Sequence, residues 1–334
     1  MVPAMKTTGG ARWTLALLLA SAASGAETLA PPPGKPASAV ASAAASAEFP
    51  RAIASVLEAQ VELHRRGFSC GSIDGVMGAQ TEAALRAWQR AAELNETGVL
   101  DEPTRATLPL AAAALGEHEF SAAEIEGLQP LPDTWVGKSE ARALGFTTAL
   151  ELAAERYRAN PKLLRRLNPD FDWDSVAPGA RIRVPGVEHA TVRRNAARIL
   201  IWLEARALEV VDGEGVVLAH FPVSIARAVE KRPVGELRVK AVAPEPNYTF
   251  DPAVFPESAE ARELGRKLIL PPGPNNPVGR AWIGLDRAGY GIHGTPEPEK
   301  VGRTESHGCF RLANWDALTL LELVRVGLPV VVQP

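Results

Sequence analysis

The apolar residues near the start of the chain recur at a helical interval. Ile53, Leu57 and Val61 are spaced four apart, and Gly67 follows them as a helix stop. After an Asp-Gly turn, a second stretch places its apolar side chains on one helical face: Ala84, Leu85, Trp88 and Ala92. This pattern predicts a small helical module over residues 50–110.

A second helical pattern lies within residues 135–188. One predicted helix precedes Pro161, and another begins at that proline, which suits the first helical turn. The apolar positions that support these two helices are Leu150, Leu152, Ala153, Tyr157, Leu163, Leu164 and Leu167. We therefore predict a second small unit, separated from the first by an Ala-rich and Pro-containing linker over residues 111–134.

From Ala196 onward the pattern changes to short apolar runs that are typical of strands. The predicted strands are Ile199–Leu203, Ala207–Val211, Val216–Ile225 and, at the end of the chain, Leu328–Val332. Asp212–Gly215 supplies the turn residues of a hairpin. Pro- and Gly-rich segments between Ala243 and Gly279 predict long surface loops. Residues 194–334 are thus expected to form a β-rich domain with one helix near its end.

The first 26 residues have the pattern of an export signal. Lys6 and Arg12 precede a short apolar stretch, Trp13–Ala23, and small residues lead to Glu27. The stretch is shorter than the about 20 residues that span a bilayer. We expect cleavage after residue 26 and a mature protein in the periplasm or cell envelope, with a membrane contact only if the signal stays uncleaved.

Residues 27–49 are nearly all Ala, Pro and Ser, and they predict a flexible linker. The chain carries 36 basic and 39 acidic side chains, a formal charge of -3. Because this balance creates no large positive field, nucleic acid is not expected as a partner. The chain has two cysteines, Cys70 and Cys309, and an exported protein with two cysteines can join them in a disulfide.

The densest group of reactive residues runs from Gly291 to Leu312. His293 and Cys309 lie within it, and Gly308 directly precedes the cysteine. A thiol with a pKa of about 8.5 needs a base to become a nucleophile near neutral pH, and imidazole is suited to that task. Backbone N–H groups at a Gly-containing turn can stabilise the oxyanion that forms when a carbonyl is attacked. The cluster predicts a cysteine nucleophile with a histidine base.

Two other interpretations of the same residues stay open at this point. His293, His307 and Cys309 are all possible zinc ligands, although the chain has neither a CxxC nor an HExxH pattern. A Cys70–Cys309 disulfide would remove the nucleophile.

The helical module resembles the peptidoglycan-binding domain type 1. The residues that carry the resemblance are Gln60-Val61-Glu62-Leu63, Gly67-Phe68, Ile73-Asp74-Gly75, Gly78, Thr81, Trp88-Gln89, Thr97-Gly98 and Thr104. This resemblance implies a three-helix fold that binds the wall. A spacer with a helical core is the alternative.

Part of the second unit is similar to the second half of a LysM domain. The matching residues are Asn168-Pro169, Pro178-Gly179, Ile182 and Val184-Pro185. The first half of the unit differs from a LysM domain, since no opening strand or Gly-Asp-Thr-Leu stretch is recognisable before Leu150. Glycan binding and a structural spacer both remain open for residues 135–188.

The C-terminal domain resembles the L,D-transpeptidase catalytic domain of the YkuD type. Its signature here is His293-Gly294-Thr295-Pro296, Gly302-Arg303 and Ser306-His307-Gly308-Cys309-Phe310-Arg311-Leu312. Upstream agreement comes from Arg232-Pro233-Val234-Gly235 and from Pro271-Pro272-Gly273-Pro274-Asn275-Asn276-Pro277-Val278-Gly279. Phe310 stands where Ile is commoner, and Arg232 where Thr is commoner.

By position, the resemblance implies a role for each signature residue. Cys309 would attack a tetrapeptide donor stem and release D-Ala, with His293 as the base oriented by a backbone carbonyl. Ser306, His307 and Gly308 belong to the turn that presents the nucleophile. The substrate-binding residues implied are Arg311, Tyr290 and Thr295. An amine would then take the acyl group and form a cross-link, whereas water would give carboxypeptidase activity.

The sequence therefore predicts a multidomain α+β protein: a small helical wall-binding module, a small LysM-like α/β unit and a β-rich L,D-transpeptidase catalytic domain. Expected partners are peptidoglycan stem peptides and glycan, with a wall-anchored lipoprotein as a further possible acceptor. No cofactor or metal is expected. The alternatives are a wall-binding protein with a degenerate catalytic domain and a zinc-dependent wall hydrolase.

Overall fold

A computed structural model describes residues 48–187, 195–254, 258–304 and 308–334. The predicted signal peptide and most of the Ala/Pro/Ser linker lie outside the described residues, as do Ser306 and His307. None of the helices in the described ranges combines the length and the apolar character that crossing a bilayer requires.

The helical module forms where the apolar spacing predicts it. Its three helices are α1 (Val56–Arg65), α2 (Ala79–Ala91) and α3 (Glu102–Thr107). The Ser55 hydroxyl accepts from the Glu58 N–H at the start of α1, and the Asp101 carboxylate accepts from the Thr104 N–H at the start of α3. Such caps satisfy N–H groups that have no partner inside the helix. The module encloses a core of its own, which includes Leu63, Phe68, Leu85, Leu108 and Leu110.

The second unit is built around a two-stranded sheet. In chain order it comprises β1 (Leu115–Glu119), α4 (Ala122–Glu126), α5 (Trp135–Glu140), α6 (Ala149–Arg156), α7 (Pro161–Leu167) and β2 (Arg181–Pro185). β1 and β2 are antiparallel, in a register that runs from Leu115 opposite Pro185 to Glu119 opposite Arg181. The two helices predicted on either side of Pro161 are present as α6 and α7.

The linker expected over residues 111–134 differs from the structure, since this segment contains β1 and α4. The sequence of β1, Leu-Gly-Glu-His-Glu, has almost no apolar alternation, and within it His118 alone is buried. The strand forms because it pairs with β2, which supplies the buried Ile182 and Val184. The unit therefore has an opening strand that the sequence pattern did not indicate. Its LysM-like character stays a prediction.

The C-terminal domain is dominated by one sheet of eight strands, as expected for a β-rich domain. The order across the sheet is β11-β10-β9-β6-β12-β3-β4-β5. These strands are β3 (Arg198–Trp202), β4 (Ala207–Val211), β5 (Val217–Pro222), β6 (Gly235–Pro244), β9 (Ala281–Leu285), β10 (Gly291–His293), β11 (Phe310–Arg311) and β12 (Pro329–Gln333). A separate hairpin-like pair consists of β7 (Tyr248–Phe250) and β8 (Leu268–Leu270), with α8 (Ala259–Leu264) between them.

The eight-stranded sheet curls until its two ends meet. Just after β5, Ser224 exchanges two backbone hydrogen bonds with Arg311 of β11, at 2.9 and 3.0 Å. Inside the curl lies the largest apolar core, to which α9 (Asn314–Leu323) contributes Ala317 and Leu320. β11 is therefore hydrogen-bonded on both sides, to β10 and to Ser224.

The helical module is docked on the free side of β5. The Ser69 N–H donates to the His220 carbonyl at 2.8 Å, and the His220 N–H donates to the Gly67 carbonyl at 3.0 Å. Val211 and Val217 of the sheet are part of the core of the module. This contact covers an edge strand whose N–H and C=O groups would otherwise lack partners.

A buried carboxylate lies where all three parts meet. Asp316 of α9 is 1% exposed, and it accepts a hydrogen bond from the Ser69 hydroxyl at 2.9 Å. Burial raises the pKa of Asp316 to about 7, although the positive charge of Arg158 from the second unit opposes the shift.

This raised pKa predicts a specific pH dependence of stability. Because the pKa in the folded state lies above the ordinary value of 3.8, the folded protein keeps the Asp316 proton between about pH 4 and pH 7, where the unfolded chain releases it. The contribution to the free energy of unfolding is full below this window and is lost as the pH rises through 7. Asp316→Asn is therefore expected to reduce the difference in Tm between pH 5 and pH 8.

Calorimetry on the wild type and the variant measures this difference directly. Replacing the exposed Asp170 by Asn is the matched control, and it should leave the pH dependence as it is. An Asp316→Asn protein with the full wild-type difference in Tm would show that the carboxylate does not hold its proton in the folded state.

Candidate active site

The two residues predicted to carry the chemistry lie in or directly beside two adjacent parallel strands. β10 ends at His293 and β11 begins at Phe310, with Ile292 opposite Phe310 and His293 opposite Arg311. Ile292 and Phe310 point into the core, where both are almost fully buried. Cys309 directly precedes β11, and its Sγ donates to the Gly289 carbonyl, just before β10, at 3.5 Å. Continued by one residue, this register places Cys309 opposite Gly291, two positions before His293 along β10.

His293 is buried as a neutral base. Its Nδ1 lies 2.6 Å from the Gly294 carbonyl oxygen. Because a carbonyl can only accept, Nδ1 must carry the hydrogen, and Nε2 is left with a lone pair that can take a proton. Burial lowers the pKa of His293 to about 4; the Gly294 hydrogen bond acts in the opposite direction, and the charge of Arg311 lowers the pKa further.

The Cys309 thiol is half-buried and protonated in the resting state. Burial raises its pKa, while a Gly291 backbone hydrogen bond and the positive charge of Arg311 act in the opposite direction. With the pKa of the thiol raised and that of the imidazole lowered, the pair is neutral near pH 7 rather than a thiolate–imidazolium ion pair. A thiol in this state would have to give up its proton before it could act as a nucleophile.

The structure also tests the interpretation in which Cys309 is part of a disulfide. No disulfide joins Cys70 and Cys309. Cys70 is 3% exposed in the core of the helical module, and burial raises the pKa of its thiol. Within the described ranges, no three His, Cys, Asp or Glu side chains form a group that could hold a metal ion. His307, one of the three candidate zinc ligands, lies outside those ranges.

The remaining predicted site residues occupy different environments. Arg311 is half-buried beside the thiol, and burial lowers its pKa against the opposing charges of Glu297 and Cys309. Tyr290 packs against the core, and its ring lies 4.6 Å from the Arg287 guanidinium. Thr295 is buried, and its hydroxyl accepts from the Glu297 N–H at 3.3 Å, so it shapes the turn after His293.

Gly308, which precedes Cys309, has open space where a Cβ would stand. Ser306 and His307 lie outside the described residues, and their roles stay predictions.

Two further aromatic residues belong to the site and were not predicted. The Trp282 ring stacks on the His293 imidazole, with ring centres 5.7 Å apart and planes inclined by 24°. Tyr248 is half-buried; burial raises its pKa, and the charge of Cys309 raises it further, so its hydroxyl lies within electrostatic range of the sulfur. Trp282 lies 27 positions before Cys309 along the chain, and no local motif links either aromatic to the cysteine.

The part of the chain that follows His293 is held by both N-terminal units at Glu299 and Val301. Glu299 accepts from the Ser72 hydroxyl at 2.7 Å and from the Asn160 side-chain amide at 2.5 Å. Gln80 of α2 donates to the Val301 carbonyl at 2.8 Å. Polar contacts from two separate units therefore hold the Glu299–Val301 segment in place.

Gly291 is the position at which an added methyl group should disturb the site most directly. A Cβ there would lie 2.5 Å from Cη2 of Trp282, so the ring would have to leave its place over His293. We expect Gly291→Ala to slow the alkylation of Cys309 by iodoacetamide about tenfold, as small displacements of a reacting group do. The alkylation rate is measured by mass spectrometry.

Gly116→Ala is the matched control for this substitution. Gly116 also lies in a strand, and open space surrounds it. Wild-type alkylation in Gly291→Ala would mean that the position of Trp282 does not affect the cysteine.

The geometry shows a β-rich domain with a half-buried cysteine and a buried, neutral histidine in or directly beside neighbouring strands, and comparisons with known proteins show what this domain is similar to. Residues 196–332 match the family model described as the L,D-transpeptidase catalytic domain. Residues 54–108 match the one described as "Putative peptidoglycan binding domain".

Two curated relatives cover most of their own length in the alignment. "Putative L,D-transpeptidase YkuD" of Bacillus licheniformis is 27% identical over 185 residues, which is 55% of this chain and 93% of the relative. "Probable L,D-transpeptidase YbiS" of Escherichia coli K12 is 28% identical over 235 residues, 65% of this chain and 72% of the relative.

Solved structures of the same class are also similar to this chain. An L,D-transpeptidase from Mycobacterium smegmatis is 21% identical with a TM-score of 0.33, and the match covers 46% of this chain and 65% of that one. An L,D-transpeptidase from Xylanimonas cellulosilytica is 15% identical with a TM-score of 0.35, and the match covers 86% of this chain and 98% of that one. The family model and the names of the curated relatives support L,D-transpeptidase activity for residues 196–332, and the helical module matches a peptidoglycan-binding domain.

Proposed function

We propose that this enzyme remodels peptidoglycan by acyl transfer through Cys309, with His293 as the general base. The observation that supports this assignment is the hydrogen bond from His293 Nδ1 to the Gly294 carbonyl. This hydrogen bond leaves Nε2 as a proton acceptor. His293 ends β10, and Cys309 directly precedes the neighbouring strand β11. A neutral thiol and a neutral, oriented imidazole are the pair that a cysteine acyltransferase needs.

The first half of the reaction forms an acyl-enzyme. His293 Nε2 takes the Cys309 proton as the sulfur attacks the carbonyl that joins the L-centre to the D-centre of a tetrapeptide donor stem. The N–H groups of Gly308 and Cys309 stabilise the oxyanion. The tetrahedral intermediate collapses with cleavage of the C–N bond, and the imidazolium returns its proton to the departing amine of D-Ala. A thioester to Cys309 remains.

The second half transfers the acyl group to an acceptor. An amine from a second stem attacks the thioester, His293 takes its proton, and the proton passes to the leaving sulfur. A cross-link and the free thiol result. A lysine amine of a wall-anchored lipoprotein could serve as the acceptor in the same way, and water would trim the stem. Arg311, next to the nucleophile, is suited to bind a substrate carboxylate, because guanidinium binds carboxylates in a bidentate manner.

The two N-terminal units would hold the enzyme on its polymer. A wall-binding helical module and a LysM-like unit that binds glycan would raise the local concentration of stems near Cys309. A substrate of this kind places the protein at the cell envelope. The roles of Tyr290 and Thr295 would be to line the cleft and to shape the turn after His293, with Ser306 and His307 in the nucleophile turn.

A defined donor and acceptor test the proposed function. The purified protein is incubated with a disaccharide-tetrapeptide carrying a C-terminal D-Ala, and products are separated by liquid chromatography with mass detection. We expect release of D-Ala and a dimer whose mass equals two donors minus one D-Ala. Activity that depends on added zinc would instead favour a wall hydrolase. Binding of wall fragments without any turnover would favour a wall-binding protein with a degenerate catalytic domain.

A further inference from the structure

A buried amide on α9 supports the turn that carries the histidine. Asn314 is fully buried, and its Oδ1 accepts from the Arg280 N–H at 3.1 Å. A Cβ on Gly279 or on Gly294 would collide with this oxygen. The amide therefore packs directly on two backbone segments, and one of them holds the Gly294 carbonyl that binds His293 Nδ1.

The other end of this amide is held by the second unit. Asn314 Nδ2 donates to Glu155 Oε2 at 2.8 Å and to the Pro274 carbonyl at 3.0 Å. Glu155 lies on α6 and is 11% exposed, and its second oxygen is 3.8 Å from an Arg280 nitrogen. A carboxylate oxygen and a carbonyl oxygen are acceptors, so the NH₂ end of Asn314 must face them. This contact fixes the orientation of the amide and directs its oxygen at the glycine turn.

We propose that Glu155 is a positioning residue for the catalytic histidine, acting through Asn314. It holds the Asn314 amide in one orientation; the amide supports the Gly294 turn; and the Gly294 carbonyl fixes the tautomer and the plane of the His293 ring. The second unit is then part of the active-site support rather than a spacer alone. The proposal rests on the proposed function, in which His293 is the base.

The hydrogen bond from Asn314 to Glu155 does not depend on the protonation state of Glu155. Burial raises the pKa of Glu155 to about 7; Asn314 and Arg280 act in the opposite direction, and the nearby Glu151 and Glu245 raise it. A carboxylic acid still presents one acceptor oxygen, so Asn314 keeps its partner in both protonation states. Glutamine presents such an oxygen too, whereas alanine presents none.

Two substitutions at position 155 separate positioning from charge. In Glu155→Ala, the amide of Asn314 is no longer fixed, and we expect the rate of covalent acylation by a carbapenem to fall about tenfold. Glu155→Gln should keep most of the wild-type rate. Both variants lose the carboxylate charge opposite Arg280. If Glu155 served only to attach the second unit to the catalytic domain through that charge, both variants would lose the same share of the acylation rate. The adduct is followed as a mass shift of the intact protein over time.

The pH profile supplies a second readout. In the wild type, the rate should decline below about pH 4, where His293 becomes protonated. In Glu155→Ala the turn at Gly294 is less fixed and admits water to His293, so the pKa of His293 should rise. The decline of the rate at acidic pH should then begin closer to the ordinary histidine pKa of about 6.5. In Glu155→Gln the pH at which the rate declines should be the same as in the wild type.

Glu151→Ala is the matched control. Glu151 lies one turn earlier on α6 and binds Thr147 and Asn275 at the same interface, without contact to Asn314. Equal loss of rate in Glu155→Gln and Glu155→Ala, or in Glu151→Ala, would overturn the positioning role. A wild type that forms no adduct, or an adduct elsewhere than on Cys309, would instead refute the proposed function. Circular dichroism and Tm are recorded for every variant, and a folded Glu155→Ala protein with the wild-type rate and pH profile would also overturn the proposal.

Discussion

Protein that carries Cys309→Ala is expected to form no covalent adduct with a carbapenem, whereas Cys70→Ala should form the adduct at the wild-type rate. The sulfur of Cys309 is the proposed nucleophile, and loss of the nucleophile from a comparable catalytic triad lowers kcat by on the order of 10⁶. Cys70 is 3% exposed in a separate core, where a reagent cannot reach it. Intact-protein mass spectrometry after incubation with the carbapenem measures both variants.

The fold of Cys309→Ala should be preserved, because the cysteine is half-buried and the hydrogen bond from Sγ to the Gly289 carbonyl is long, at 3.5 Å. Circular dichroism provides that check. An adduct on folded Cys309→Ala protein would show that a different residue is acylated, and the proposed mechanism would then be wrong. Loss of the adduct in Cys70→Ala with its fold intact would mean that the buried thiol takes part after all.

The second large effect is expected for His293→Ala. Without Nε2 as proton acceptor, the thiol, whose pKa is raised by burial, must lose its proton to water, and acylation should slow by about 10²–10⁴-fold. The decline in the wild-type rate below about pH 4 should also be absent, because the group that titrates there has been removed. Stopped-flow measurement of carbapenem consumption from pH 3.5 to 8 gives both quantities.

His118→Ala is the control for this variant. His118 is also a buried histidine, 7% exposed, but it lies on β1 of the second unit and contacts Tyr157. It should react as the wild type does. A His293→Ala protein that keeps the wild-type rate and the acidic limb would assign the base to another residue, and His307 would be the first to examine.

The sequence predicted helices α1, α2, α6, α7 and α9 and strands β3, β4, β5 and β12, because their apolar residues repeat at a regular interval or form short runs. α1 and α2 follow from a four-residue spacing and an Asp-Gly turn, and β3, β4 and β12 follow from short apolar runs. β1 could not be predicted, since its Gly-Glu-His-Glu sequence is polar and it depends on pairing with β2. A strand of that kind is stabilised by its partner rather than by its own composition.

Some residues of the site could also be predicted from the sequence, and others could not. Cys309, His293 and Gly308 stand in one short, reactive stretch, so residue type and spacing were enough to predict them. Trp282 and Tyr248 carry no such signal. Trp282 stacks on His293 from the neighbouring strand, and Tyr248 lies on a strand of a separate two-stranded sheet within electrostatic range of Cys309. Glu155 and Asn314 are 159 positions apart in the chain and meet only in the folded protein.

The sequence by itself determined the chemistry available to this protein: a thiol, an imidazole and a glycine turn within a stretch that resembles one catalytic family, preceded by a helical module with its own apolar core. The tertiary structure decided the protonation of that pair and what supports it. Burial and a backbone carbonyl set the tautomer and the pKa of His293, and side chains from two other units hold the surrounding loops. Local patterns record the identity of reactive groups, whereas desolvation and long-range hydrogen bonds arise only when distant segments pack together.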